Sequence, residues 1–403
     1  MKQIRLNRPC TDRHTSVHRK IKVLHLITEL VVGGAQDNTF LTVGRLSRDQ
    51  YEVDVAGAPG GEWELRAAEA ADHVFLINSM KRGIYALDNA KALLEIMALL
   101  RQQRYDVVHT HSTNAGILGR LAARAVGTPI AVHTVHGFAF DDTTFSLVAR
   151  KALVWLERLS AACCDRLVMV SELNKQEALR RHIAPAHKMV TIHSGIDTGQ
   201  FDEPVDVRAK RAELGLFDDW PVVGFVGRLS TQNAPQVFVR AARQILATRP
   251  RVHFVVVGDG PLRSEVQSLA VGTPQLHLLG HREDVPRILP VLDIYVFSGL
   301  WAGLGRALTE AMIAARPVVA SSINGVPEIV HHGQTGLLVP PNDPEAIARS
   351  VLYLLDNSAV AAKLGENARR EVIPEFGADL MVRRIEALYE ELLLEKGVID
   401  APR

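Results

Sequence analysis

The sequence lacks what would place it across a membrane, in a disulfide-held scaffold or on nucleic acid. No apolar run approaches the roughly 18 residues a spanning helix needs. Only three cysteines occur, two of them adjacent at Cys163 and Cys164, so no disulfide framework is available and cysteine use points to the inside of the cell. Neither CxxC nor HExxH is present, and no metal site is expected. Lys and Arg total 46 against 45 Asp and Glu, a net charge of +1, which removes bulk attraction to nucleic acid. The first Gly-Gly turn, VVGGAQ at 31–36, is not the GxGxxG of a dinucleotide site.

What remains is an ordinary globular composition, 47% hydrophobic and 23% charged, in 403 residues. That length favours two domains of roughly 150–200 residues. The N-terminal segment 1–20, MKQIRLNRPCTDRHTSVHRK, is basic and has no apolar stretch of a signal peptide. It is expected to be a disordered tail, with a weak contact to anionic lipid as the alternative.

From residue 21 short apolar runs alternate with helical patterns. IKVLHLI (21–27), YEVDVAGA (51–58), DHVFLI (72–77), DVVHTH (106–111), IAVHTVHG (130–137), RLVMVS (166–171) and MVTIHSG (189–195) read as strands, with helices such as NAKALLEIMALLRQQ (89–103) between them. After a polar segment at 198–220 the rhythm restarts with WPVVGFVG (220–227), HFVVVGDG (253–260), QLHLLG (275–280), DIYVFSG (293–299), RPVVASS (316–322) and TGLLVP (335–340). Repetition of this kind implies α/β domains with parallel, doubly wound sheets. The expected boundaries are an N-terminal domain over 21–197, a C-terminal domain over 198–377, and a last helical segment over 378–403. In that segment Met381, Ile385, Leu388 and Leu392 share one helix face, which must pack on something.

Ligands of such sheets bind beyond the carboxyl ends of strands, so loops after strands are the places to look. Gly33 and Gly34 permit positive φ and close backbone approach, although a plain tight turn explains them as well. His133 and His136 end a strand in HTVHGF, where alternation sends the two imidazoles to different faces or depths; a polar contact to a reacting group and a structural histidine both remain open. HTH at 109–111 is a weaker candidate, because a neighbouring strand can absorb those side chains. Arg228 follows Gly227 at a strand tip, where a guanidinium grips phosphate or caps a loop. In SGLWAGLGRALTEAM (298–312) the amides of Gly303, Leu304 and Gly305 precede a helix and suit a diphosphate, while Glu310 is placed to accept from a ribose diol.

Over residues 21–395 the chain resembles the retaining glycosyltransferase family 4 with the GT-B fold, and most of all its capsule, exopolysaccharide and lipopolysaccharide branch. The resemblance rests on an ordered set of motifs: LITELVVGGAQ, DVVHTHSTNAG, HTVHGFAF, VMVSELNKQ, IHSGIDTGQF, VGRL, VVGDGP, LLGHREDVPRIL, EAMIAARPVVAS and GVPEIVHHGQTGLLVPPNDPEAIA. It implies two Rossmann-like domains facing a central cleft and a nucleoside-diphosphate sugar, UDP-sugar favoured, on the C-terminal domain. It also implies a saccharide or lipid-linked acceptor on the N-terminal domain, with retention and no bound metal or other cofactor. By position Gly33 and Gly34 would border the diphosphate and acceptor, His136 would contact the donor sugar, Arg228 the diphosphate, Arg282 the base and Glu310 the ribose. The terminal segment would pack back on the N-terminal domain. Such an enzyme is cytoplasmic, with a peripheral contact at the inner membrane face; Lys81, Arg82, Arg101 and Arg104 are compatible with it.

Three positions depart from the family pattern. Asn233 and Ala234 replace a lysine and a glycine after VGRL, and Asn233 would offer the diphosphate a donor without charge. Ala302 replaces the first of two glutamates, the one that touches donor-sugar hydroxyls, and a loop before a helix exerts little demand for alanine. Arg316 replaces a small residue. The expectation is therefore a transferase of weakened turnover. The alternatives are an inactive GT-B protein that binds nucleotide or a partner transferase, and a nucleotide-sugar 2-epimerase.

Overall fold

A computed structural model of the chain describes residues 2–4, 19–81, 83, 85–142, 144–216 and 219–400. It divides into two compact units, Met1–Gly195 with Ala378–Arg403, and Ile196–Gly377. The division falls two residues before the expected one, because Ile196 donates its amide to Phe376 O at 2.7 Å and is buried in the core of the second unit.

The first unit holds strands β1 (Lys2–Ile4), β2 (Ile21–Glu29), β3 (Tyr51–Ala58), β4 (His73–Leu76), β5 (Val107–His111), β6 (Ile130–Val135), β7 (Arg166–Met169) and β8 (Met189–Thr191). They lie in the order β1-β4-β3-β2-β5-β6-β7-β8. All pairings are parallel except β1 with β4. The tail thus gives the open β4 edge a strand at Lys2–Ile4, where disorder was expected, and Arg19 at its other end pairs with Asp106 at 2.6 Å; residues 5–18 lie outside the described residues.

The second unit holds β9 (Val222–Val226), β10 (His253–Val257), β11 (Leu276–Gly280), β12 (Ile294–Phe297), β13 (Val318–Ser321) and β14 (Leu337–Val339), in the order β11-β10-β9-β12-β13-β14. These are the doubly wound parallel sheets that the apolar runs imply. In each, strand order reverses beside the first long strand: between β2 and β5, and between β9 and β12.

Alternation along the strands decides what each face of the first sheet receives. Leu24 and Leu26 pack with Ile96, Leu99 and Leu118 of helices Ala86–Gln103 and Thr113–Val126. Val23 and Ile27 point the other way, into a core shared with helices Gly34–Arg45 and Ala378–Glu395. Met381, Ile385, Leu388 and Leu392 are all buried there. The same sheet buries His25, His109, His111 and His133. Loss of solvation holds His25 down at about 3, helped by the positive charge of Arg48. It holds His109, His111 and His133 well below the ordinary histidine range, helped by neighbouring imidazoles and, for His133, by Arg120.

Two outcomes follow. Leu392→Ala removes a fully buried side chain and is expected to cost about 2–5 kcal/mol in urea unfolding. Leu394→Ala, on the same helix but 40% exposed, is expected to cost under about 1 kcal/mol; equal losses would show that the helix does not hold the unit by this face. The depressed histidines make the unfolded chain the stronger proton acceptor below its own pKa of about 6.5. Stability is therefore complete above that pH and falls as pH drops toward 4, by up to about 1.4 kcal/mol per pH unit for each histidine. Melting temperatures between pH 7.5 and 5 measure this, and a flat profile contradicts it.

Candidate functional site

In the second unit the loops after β9 and β12 are tied together at the point where strand order reverses. Ser298 Oγ donates to Asn233 O at 3.0 Å and to Ala234 O at 3.1 Å, and the Leu300 amide donates to Gln232 O at 2.7 Å. Gly258 lets the β10 loop close against this corner: its φ is +132°, and a Cβ there would fall 2.0 Å from Gly227 O. Arg228 leaves the corner exposed, and its guanidinium has no ion-pair partner among the described residues. Helix Arg306–Ile313 starts beyond β12, with Gly305 as its N-cap at φ 92°, a left-handed conformation that favours glycine. The residues before it, Gly303 and Leu304, are buried, and the positive end of the helix dipole lies beside them. Glu310 sits one turn in, paired with Arg306 at 3.1 Å.

The other expected contacts of this unit are already engaged. Asn233 does not offer its amide freely: Nδ2 donates to Arg228 O at 2.8 Å, closing the loop that carries Arg228. Ala234, next to it, adopts φ 45°, which explains why a glycine suits that position. Arg282 makes two 2.8 Å bonds to Asp284 and one of 2.6 Å to Glu213. Its hydrogen bonds to Asp284 and Glu213 hold the guanidinium protonated, so its side chain is a link in an ion network with Lys210 rather than a free group for a base.

Ala302 needs a correction. It is 8% exposed and belongs to the core cluster of the second unit, and its amide donates to Asn324 Oδ1 at 3.0 Å. The loop therefore does demand a small apolar residue here, which spacing did not reveal. Arg316 has a structural explanation too: it donates to the carbonyls of Ala314 and Leu292, each at 3.0 Å, at the amino end of β13.

In the first unit the Gly-Gly turn does not use positive φ. Gly33 is extended at φ 177° and Gly34 is the first residue of a helix. A Cβ on Gly33 would meet Oε1 of Gln36 at 2.5 Å, and Gln36 itself donates to Glu29 O at 3.0 Å. Beside this turn lies a cavity of about 560 Å³ at the carboxyl ends of β2 and β3, lined among others by Glu29, Val31, Pro59, Gly60, Lys81 and Tyr85. Sequence reasoning missed it, though the PGG after β3 (59–61) was a signal. Lys81 is paired with Asp88 at 2.7 Å. Arg101 and Arg104 lie toward the far end of the 18-residue helix Ala86–Gln103, at least about 20 Å along its axis from Asp88, the partner of Lys81, so they form no patch with Lys81; Arg82 is outside the described residues.

The histidines are connected. His136, half-buried just past β6, brings Nε2 to 3.2 Å from Nδ1 of His111, whose Nε2 lies 3.0 Å from Nδ1 of His25. Burial holds His136 at about 4, so it is neutral at neutral pH. His133 faces the opposite side of the sheet, 2.9 Å from Thr110 Oγ1. HTH at 109–111, rated low from sequence, thus lies directly beneath His136. His25, His109 and His111 bring ligand atoms within 4.8 Å of one another. Every ring nitrogen of the three already has a partner among histidines, Tyr389 and Thr134, so an ion would have to break those bonds.

Two family descriptions match the chain: Glycosyltransferase Family 4 over residues 32–200 and Glycosyl transferases group 1 over residues 220–357. The UDP-Gal:alpha-D-GlcNAc-diphosphoundecaprenol alpha-1,3-galactosyltransferase of Escherichia coli is 31% identical over 388 residues, which are 94% of this chain and 100% of that protein. The capsular polysaccharide biosynthesis glycosyltransferase CapM of Staphylococcus aureus is 23% identical over 87% of this chain and 92% of its own length. Among solved structures, Anabaena HepE in complex with UDP and glucose superposes with a TM-score of 0.79 at 20% identity, over 92% of this chain and 100% of that one. Sucrose-phosphate synthase from Thermosynechococcus elongatus reaches 0.78 at 22%, over 93% and 100%, so at this distance likeness of structure speaks for the GT-B fold alone. The family matches and the full-length identity go further: the chain belongs to glycosyltransferase family 4.

Proposed function

We propose that the protein transfers a sugar, with retention, from a UDP-sugar to a saccharide or lipid-linked saccharide acceptor in surface polysaccharide synthesis. The observation that carries this is the exposed guanidinium of Arg228, which has no ion-pair partner among the described residues, at the reversal point of the second sheet and in the same unit as the helix end at Gly303–Gly305. A leaving diphosphate there meets a cation and oriented N–H groups, which stabilise charge without a bound metal. Glu310 accepts from the ribose, with Arg306 holding its carboxylate; the backbone near Arg282 meets the base. UDP is favoured because the similar galactosyltransferase is named for UDP-Gal and the HepE complex holds UDP. In the first unit His136 contacts the donor sugar, and Gly33, Gly34 and the neighbouring cavity receive the acceptor. The epimerase alternative draws no support from the family assignment.

The acceptor side is proposed to meet an anionic membrane surface through helix Leu147–Ala162. No described helix is long and apolar enough to cross a membrane. This one exposes Leu147, Val148, Trp155 and Leu159 on one side, with Lys151 and Arg158 exposed among them. Its one acidic residue, Glu157, is buried against Arg120 at 3.0 Å. An apolar stripe with tryptophan and flanking cations is the pattern of a helix lying in a lipid interface.

Turnover is proposed to be reduced, because Asn233 carries no charge and Ala302 no carboxylate. This also keeps open a protein that binds nucleotide without turnover. Calorimetric titration of UDP with assays of UDP-sugar transfer separates the two. Arg228→Ala is expected to weaken UDP binding and to cut transfer by roughly 30- to 1000-fold, the equivalent of about 2–4 kcal/mol; unchanged UDP affinity would sink the diphosphate assignment. Ala302→Glu with Asn233→Lys is expected to raise transfer, while lowering the melting temperature because a carboxylate enters an apolar cluster. Saturating UDP-sugar should recover part of that loss. Wild-type transfer equal to the double variant's would show that the two side chains are not limiting. For the membrane contact, Trp155→Glu is expected to abolish co-sedimentation with vesicles containing anionic phospholipid, and retention of binding would refute that surface.

A further inference from the structure

The chain of histidines beneath His136 does not stop at His25. His25 Nε2 is 3.4 Å from the hydroxyl of Tyr389 on the terminal helix, and that hydroxyl is 2.5 Å from Nδ1 of His109. His109 Nε2 in turn lies 2.7 Å from Oγ1 of Thr134. The links run in single file from the surface of the sheet to its interior: His136, His111, His25, Tyr389, His109, Thr134. Register explains the convergence, since His25 pairs with His109 and His111 with Thr134 on one face of β2, β5 and β6, the face the terminal helix covers.

Each neutral imidazole has one N–H and one lone pair, so once the proton is placed on one ring every other follows. The buried end decides the direction. Thr134 is 4% exposed, and its hydroxyl has no described partner except His109 Nε2. Were His109 to donate there, the Thr134 proton would be buried without an acceptor, at a cost of about 1–3 kcal/mol. With Thr134 donating, His109 Nδ1 donates to Tyr389, Tyr389 to His25 Nε2, His25 Nδ1 to His111 Nε2, and His111 Nδ1 to His136 Nε2. Every donor inside the chain is then satisfied.

We propose that Tyr389 and Thr134 are positioning residues that lock His136 as its Nδ1–H tautomer, so that it faces its ligand as a fixed hydrogen-bond donor and not as a base. Nε2 is occupied by His111, and Nδ1 has no partner among the described residues. Such a donor suits an oxygen that accepts, a sugar hydroxyl or an oxygen gaining negative charge, and it cannot remove a proton through Nδ1. The terminal helix thereby acts on the site through Tyr389 without touching the ligand. The consequence for turnover rests on the proposal that His136 contacts the donor sugar; the tautomer does not.

Nitrogen-15 spectra of the full chain, labelled on histidine and with His136 assigned by His136→Asn, report the tautomer directly. The expected result is His136 with Nδ1 protonated and Nε2 bare. Tyr389→Phe and Thr134→Val cut the chain at its middle and at its buried end, and either should return His136 to a mixture containing the Nε2–H form. Thr134→Ser keeps the hydroxyl and should restore the wild-type signature. In transfer assays Tyr389→Phe should lower kcat about tenfold with little change in KM for the UDP-sugar, the scale of one hydrogen bond. A wild-type His136 carrying its proton on Nε2, or a His136 signal that neither variant moves, overturns the relay. If the tautomer is as stated but His136→Asn leaves transfer unchanged, the relay stands and the sugar contact assigned to His136 fails.

Discussion

Both units depend on one constraint of parallel sheets. Two neighbouring strands whose following connections leave toward opposite faces cannot share a loop, so their carboxyl ends part and leave a crevice of backbone polar groups. Here that happens between β9 and β12 and between β2 and β5. In the second unit the crevice is stapled by Ser298 Oγ and the Leu300 amide, and it carries the exposed Arg228 and a buried helix entrance. In the first, Thr28 Oγ1 and Ser112 Oγ meet at 2.7 Å across the same kind of gap, and the histidine chain lies just below.

Partner assignments change what the motif residues are worth. Arg228 and Arg282 are both arginines after a strand, yet one is exposed without a counterion among the described residues and the other is held by Asp284 and Glu213. The difference lies in which hydrogen-bonding directions remain for a ligand. Asn233 is likewise spent on the backbone of the loop it belongs to, which makes it a brace for Arg228. The buried imidazoles of His25, His109 and His111 follow the opposite logic: burial keeps each neutral, and they are held by hydrogen bonds among themselves and to His136, Tyr389 and Thr134.

Much of the fold was legible because its signals are local. The thirteen apolar runs quoted from residue 21 onward become strands β2 to β14, and the face of Met381, Ile385, Leu388 and Leu392 is buried in full. Motif order also pointed to the family. Legibility ended where a residue's role is set by what lies across the sheet. Ala302 looked unconstrained because its neighbours in the chain make no demand; those of the core do. The histidines at 109 and 111 looked incidental because a two-residue alternation shows which face they take, but not that His25 lies on that face and Tyr389 covers it.

The sequence by itself determined strand and helix placement, the doubly wound repetition and the family, since each rests on hydrophobic period or on motifs read along the chain. Tertiary structure alone decided which polar groups stay available. Hydrogen-bond partners come from residues far apart in the chain, as the 280 positions between His109 and Tyr389 show, and no spacing rule reaches that far.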